Sequence, residues 1–204
     1  MFARTAVAQA TEKPAAADRI HVWDPLVRLF HWSLVAGFAT AYLVEDDWLS
    51  LHVWAGYLVL ALIAVRLVWG FAGPRHARFS DFVRGPRQIG RYFADTFQGR
   101  APRYLGHNPA GGAMIVLLLT AVAATGITGL ALYGAQELAG PLAPLTRDWP
   151  AAWGHNLEEV HEVLANLTLG LILLHLAGVI ASSLLHRENL VRAMITGDKR
   201  RDPE

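Results

Sequence analysis

The chain has 204 residues, 53% of them hydrophobic and 17% charged, with no cysteine and a formal net charge of +1. That balance is too apolar for an ordinary soluble domain. It excludes disulfides, thiolate-held iron–sulfur clusters and thioether-attached haem, and no nucleic-acid partner is expected.

Four apolar runs account for the composition, at about 27–44, 51–71, 112–133 and 161–185. Each is long enough and poor enough in charge to cross a bilayer as a helix. The expected fold is therefore an all-α integral membrane protein, a bundle of four transmembrane helices.

The N-terminus, MFARTAVAQA, offers small residues at Ala8–Ala10 but no apolar stretch before them. A cleaved signal peptide is not expected, and residues 1–19 read as a flexible polar tail. Residues 20–200 read as a single membrane domain.

The first span starts after Asp24-Pro25, a helix-start signal, carries Arg28, His31 and Trp32 early, and ends at Glu45-Asp46-Asp47. The second has His52 in its first turn and runs to Trp69-Gly70, with Arg66 inside it. Residues 72–110 form a basic connection. In it Phe82, Ile89, Phe93 and Phe97 recur near helical spacing opposite Arg84, Arg87 and Arg91, a pattern for a surface helix or for one lying on a membrane.

Gly106-His107-Asn108-Pro109 then reads as the cap of the third span, which is rich in small residues such as Thr125, Gly126, Thr128 and Gly129 that allow close helix packing. Residues 134–160 read as a polar loop containing Pro141, Pro144 and Pro150. The fourth span follows, and then a basic tail from Arg187 to Arg201.

The basic residues sort by side. Segments 45–50 and 134–160 hold Glu45, Asp46, Asp47, Glu137, Asp148, Glu158 and Glu159 against Arg147 alone. The positive-inside rule places both termini in the cytoplasm. The acidic outer loops would also steer a basic soluble partner.

His161 and His175 bracket an apolar run on the fourth span. They are 14 residues apart, about 21 Å of helical rise and about 40° of rotation, with Ala165, Thr168 and Ile172 between them on that face. His31 lies 14 residues from Glu45 on the first span, which runs the other way. If Glu45, His52 and His161 mark the outer boundary, the histidines form two pairs: His52 with His161 outside, and His31 with His175 inside.

Imidazole is a common metal ligand, and ionisable groups at membrane depth are by default functional. Two imidazoles facing each other suit a haem with both axial positions filled, which carries single electrons. A zinc site would want a tighter, larger ligand set. His21, His76, His107, His155 and His186 fall at or beyond the boundaries and read as solvated loop residues.

RLFHW at 28–32, HxxxG at 52–56, GHNPAGG at 106–112, TGITG at 125–129, HEVLAN at 161–166 and HRENLVRAMITGDKR at 186–200 together resemble the prokaryotic cytochrome b561 family. That family includes the b-type cytochrome subunits of nickel–iron hydrogenases, and the resemblance covers about 20–200. It implies a four-helix bundle in the bacterial inner membrane, with two non-covalent b haems ligated by His31, His52, His161 and His175. It also implies electron exchange with the quinone pool and a hydrogenase, another dehydrogenase or a soluble cytochrome c as partner.

Whether the chain is an electron-transfer subunit or a quinone-linked oxidoreductase stays open. One alternative is a stand-alone oxidoreductase that takes electrons from a small molecule such as superoxide and passes them to quinone. Another is a haem-free anchor or transporter with the histidines as a proton path.

Arg66 is 14 residues beyond His52 on one face, about 21 Å deeper and so level with His31 and His175. A cation there is costly unless compensated. Arg66, with Arg28 as a second choice, is expected either to pair with a propionate of the inner haem or to snorkel to the headgroups.

Overall fold

Asp24 starts the first long helix. Its Oδ1 accepts hydrogen bonds from the backbone N–H groups of Leu26 (3.0 Å) and Val27 (3.1 Å), two donors a helix start would otherwise leave orphaned. The computed structural model describes residues 19–44 and 48–201. The expected tail therefore lies outside the described residues save for Arg19, as do Glu45, Asp46 and Asp47.

The elements run β1 (Arg19–His21), α1 (Pro25–Val44), α2 (Leu49–Ala72), a 3-10 turn (Arg75–Ala77), α3 (Phe79–Phe82), α4 (Pro86–Phe97), α5 (Pro109–Gln136), α6 (Ala143–Thr146), α7 (Ala151–Leu185), α8 (Leu190–Thr196) and β2 (Asp198–Arg200). The helices α1, α2, α5 and α7 are long and apolar enough to cross a membrane. Their outward residues are large and apolar, among them Leu43, Phe71 and Leu184. That is the reverse of a soluble bundle, and it suits a lipid solvent.

The spans match those expected, with one correction. The fourth helix begins at Ala151, ten residues before the run read from the sequence, and extends over 35 residues. Pro150 stands at its N-cap, a place where the missing N–H costs nothing. At 1.5 Å per residue such a helix is about 50 Å long, well beyond the hydrocarbon thickness of about 30 Å. His155 is thus on a helix, not in a loop, and it pairs with Glu159 one turn on at 3.4 Å.

α1 packs along α2, α2 against α5, and α5 along α7. α1 and α7 make no such extended backbone contact; Tyr42 Oη donates to Asn166 Oδ1 across the gap at 2.8 Å. The core sits on the packed side, where Phe30, Val59, Ile63 and Val122 meet. Asn108 caps α5 as expected, its Oδ1 accepting from the Gly111 N–H at 2.7 Å with Pro109 in the first turn.

One end of the bundle is capped. β1 pairs antiparallel with β2, Ile20 opposite Lys199, so both described ends of the chain lie together. Gly197 ends α8 with φ +89°, a conformation open to glycine. Its carbonyl accepts from Val22 N (2.9 Å) and Trp23 N (3.0 Å). Val22 and Trp23 pack on Ala193.

Beneath the ribbon Glu188 is buried between Arg103 Nη2 (2.8 Å) and Lys199 Nζ (3.4 Å). Burial works to raise the Glu188 carboxyl. The hydrogen bond from Arg103, the charge of Lys199 and the Arg200 backbone N–H together hold it below the usual carboxylate range. The sequence alone read this segment only as a basic tail.

Candidate functional site

At the open end, away from the ribbon, the His52 and His161 rings lie with centroids 6.1 Å apart and planes at 75°. Each is aimed by the backbone of a neighbouring helix. His52 Nδ1 lies 2.9 Å from the Ala41 carbonyl of α1. His161 Nδ1 lies 3.0 Å from the Thr125 carbonyl and 3.1 Å from Thr128 Oγ1, both on α5.

A carbonyl oxygen only accepts, so each Nδ1 carries the proton and each Nε2 keeps its lone pair. That is the tautomer a metal-ligating histidine needs, held by the outer-shell acceptor such ligands generally have. Two metal–imidazole bonds of about 2 Å put two nitrogens about 4 Å apart. Adding the distance from nitrogen to ring centre brings the centroids to about 6 Å. The pair therefore fits a single ion held between two rings.

Gly129 completes the seat. A Cβ there would stand 2.8 Å from His161 Cε1, closer than any side chain tolerates. The TGITG segment thus supplies an acceptor carbonyl, a hydroxyl and a gap within about one turn of one helix. Thr168, fully buried, continues the face of α7 inward, and its Oγ1 meets Thr125 Oγ1 at 3.2 Å.

At the capped end His31 on α1 and His175 on α7 flank the gap between those helices. Both are half-buried, and His31 Nδ1 is sealed from solvent with no hydrogen-bond partner. Among the described residues no group of three or more histidine, aspartate or glutamate side chains converges to hold an ion. His52 and His161 stand as a pair.

Arg66 lies inside the same end, 4% exposed. Its guanidinium carbon sits 4.9 Å from the Phe79 ring centre and 6.0 Å from that of Phe82, both on α3. Those faces attract a cation, but they leave Nη1 buried without an acceptor. The side chain is folded under α3 rather than extended to open water. Arg28 is engaged otherwise: its Nη1 donates to the Ile195 carbonyl of α8 at 2.5 Å, which ties α1 to the cap.

His107 departs from the loop reading. It lies between the tilted rings of Trp23 (4.4 Å) and Phe82 (4.8 Å), and its Nδ1 is buried without a partner. Burial, helped by the nearby charges of Arg66 and Lys199, pushes its imidazole down to about 3. No local signal announced this, because both flanking rings come from distant segments. His76 is also partnered, its Nδ1 lying 3.0 Å from Asp81 Oδ2, and His21 meets Asp198 at 2.9 Å.

Comparison with known proteins gives the family. Residues 22–197 match the family model described as prokaryotic cytochrome b561. The chain is 24% identical to the probable Ni/Fe-hydrogenase B-type cytochrome subunit of Rhizobium leguminosarum bv. viciae, over 92% of each chain. It is 24% identical to the protein of the same name in Azotobacter vinelandii, over 91% of this chain and 90% of that one. No solved structure matches. The four spans, the spacing of the motifs and the match over nearly the whole length make the chain a member of the prokaryotic cytochrome b561 family.

Proposed function

We propose that the protein is a di-haem b-type cytochrome that carries electrons across the bacterial inner membrane between the quinone pool and a redox partner. The observation that carries this reading is the His52–His161 pair, with rings 6.1 Å apart and both Nδ1 atoms committed to backbone carbonyls. Bound haem iron would supply a one-electron carrier there. His52 and His161 would hold the haem at the open end, His31 and His175 the one at the capped end. Residues 20–200 would act as one domain.

The chain's own contribution is placement. The Ala41 and Thr125 carbonyls fix the imidazole tautomers, and Gly129 lets the His161 ring lie against α5. Arg66, with Nη1 sealed and unpaired in an aromatic pocket, would hold a propionate of the inner haem through its planar fork. Arg28 gives Nη1 to the Ile195 carbonyl but keeps Nε buried without a partner, and is the second candidate. The two levels are separated by Thr168 and its partner Thr125 rather than by a charged residue.

The relatives are named as hydrogenase subunits, which favours a subunit with a hydrogenase partner over a stand-alone oxidoreductase. The basic residues of the capped end support a cytoplasmic location for that end by the positive-inside rule. The deciding measurement is a pyridine haemochrome assay on the purified protein, with an optical redox titration. Two non-covalent b haems per chain are expected. One haem, or none, in properly folded protein would overturn the reading.

A further inference from the structure

α4 has three facets. At about 100° of turn per residue, Tyr92 and Thr96 share one side, Ile89, Phe93 and Phe97 a second, and Arg87 and Arg91 a third. The first side faces the protein. Tyr92 is buried, its ring 5.9 Å from Tyr104. The helix also packs against α5. It is therefore tethered through Tyr104 and α5 at the capped end, where α5 begins, the level at which a membrane boundary is expected.

The second facet is bare. Phe97 is 89% exposed and Phe93 46%, with Val83 exposed just before the helix. Two phenyl rings left in water are unfavourable, and here they sit about a quarter turn from the bundle contact. The third facet, roughly opposite the phenyl rings, carries exposed Arg87 and Arg91.

We propose that α4 is an anionic-lipid docking helix. Phe93 and Phe97 enter the boundary between headgroups and acyl chains of the leaflet at the capped end, and Arg87 and Arg91 reach over to phosphate groups. Charge decides the occupant. A second copy of the chain meeting this face about a two-fold axis would bring Arg87 and Arg91 against themselves. An anionic headgroup layer neutralises them, and guanidinium forks match phosphate oxygens. The proposal rests on the spans alone and does not need the haem assignment.

The absence of cysteine makes the test clean. The full chain is prepared as Phe97→Cys and, separately, Ala94→Cys on the side of the arginines. Each is labelled with a polarity-sensitive fluorophore and placed in nanodiscs of neutral lipid with or without phosphatidylglycerol. The label at 97 should be quenched several-fold more by a lipid-embedded quencher than by iodide, and the difference should grow with phosphatidylglycerol. The label at 94 should answer mainly to iodide. Adding Arg87→Glu and Arg91→Glu should remove the lipid dependence while leaving the helical content unchanged. Iodide quenching at 97 in every disc would overturn the proposal. So would shielding from both quenchers with cross-linking between copies, or equal lipid quenching at 94 and 97.

Discussion

The two histidine pairs use the same residue type in opposite states of completion. At the open end the protein has already finished the outer shell: both Nδ1 atoms are bound to carbonyls of packed helices. At the capped end His31 Nδ1 and Arg66 Nη1 are both buried and unpaired, and the gap between α1 and α7 lies open beside them. Buried polar groups are rarely left that way. His52 and His161 are organised by backbone; His31 has no such acceptor and lies beside the cap. Changes at the two ends should therefore separate cleanly.

The largest separation is expected from the proposed ligands. His52→Ala and His161→Ala should each reduce two haems to one and spare the same haem. His31→Ala and His175→Ala should each spare the other. Haem counts and redox titrations of the four variants check this, and a shared loss in His31→Ala and His52→Ala would undo the pairing.

Next comes the cap. Glu188→Gln leaves Arg103 and Lys199 without their buried counter-charge, Lys199 being 5% exposed. Breaking a buried pair costs about 3–5 kcal/mol. Thermal unfolding should show that loss, with the inner haem released before the outer. Because the Glu188 carboxyl is held low in the folded state, its contribution is present at neutral pH and disappears as pH falls through that lowered value.

His107 has the same acid dependence for a different reason. Its folded value of about 3 lies below the usual histidine value near 6.5, so the unfolded state binds the proton first as pH falls. At pH 5 this removes about 2 kcal/mol of stability relative to neutral pH. His107→Phe should abolish that part of the acid sensitivity between pH 6.5 and 4 in a melting series.

Arg66→Leu should weaken or shift the inner haem alone, by about 1–3 kcal/mol for an uncompensated charged partner. Arg66→Lys should recover part of it. Both haems at unchanged potentials would return Arg66 to a packing role.

The smallest effect is Thr128→Val. It removes one of two acceptors for His161 Nδ1 and leaves the Thr125 carbonyl. A shift of the outer potential by no more than about 60 mV is expected, with the inner haem unchanged, as a lost hydrogen bond of about 1 kcal/mol allows.

Much of the frame was legible in the sequence. Apolar run length marked four spans, Asp24-Pro25 and Asn108-Pro109 marked two helix starts, and rise per residue put His52 and His161 at one level. What escaped depends on distant partners. The acceptors of His52 and His161 are carbonyls, which every residue possesses and no motif displays. Three-residue strands at Arg19 and Asp198 have no periodicity to read. His107 looks like any loop histidine until Trp23 and Phe82 arrive on either side. The early start of α7 was open to reading, since Pro150 followed by alanines is a helix start, but polar residues through Glu159 masked it.

The ribbon between residues 19–21 and 198–200 also sets an order of events. The first strand leaves the ribosome before any span and cannot pair until the last span has been threaded and its tail synthesised. Until then Val22 and Trp23 lack the Ala193 surface, Glu188 lacks Lys199, and one wall of His107 is unsupported. Closure at the capped end is thus the final assembly step. A chain cut short before Asp198 would insert its helices yet stay unlatched, an incomplete product that a protease could tell from a finished one.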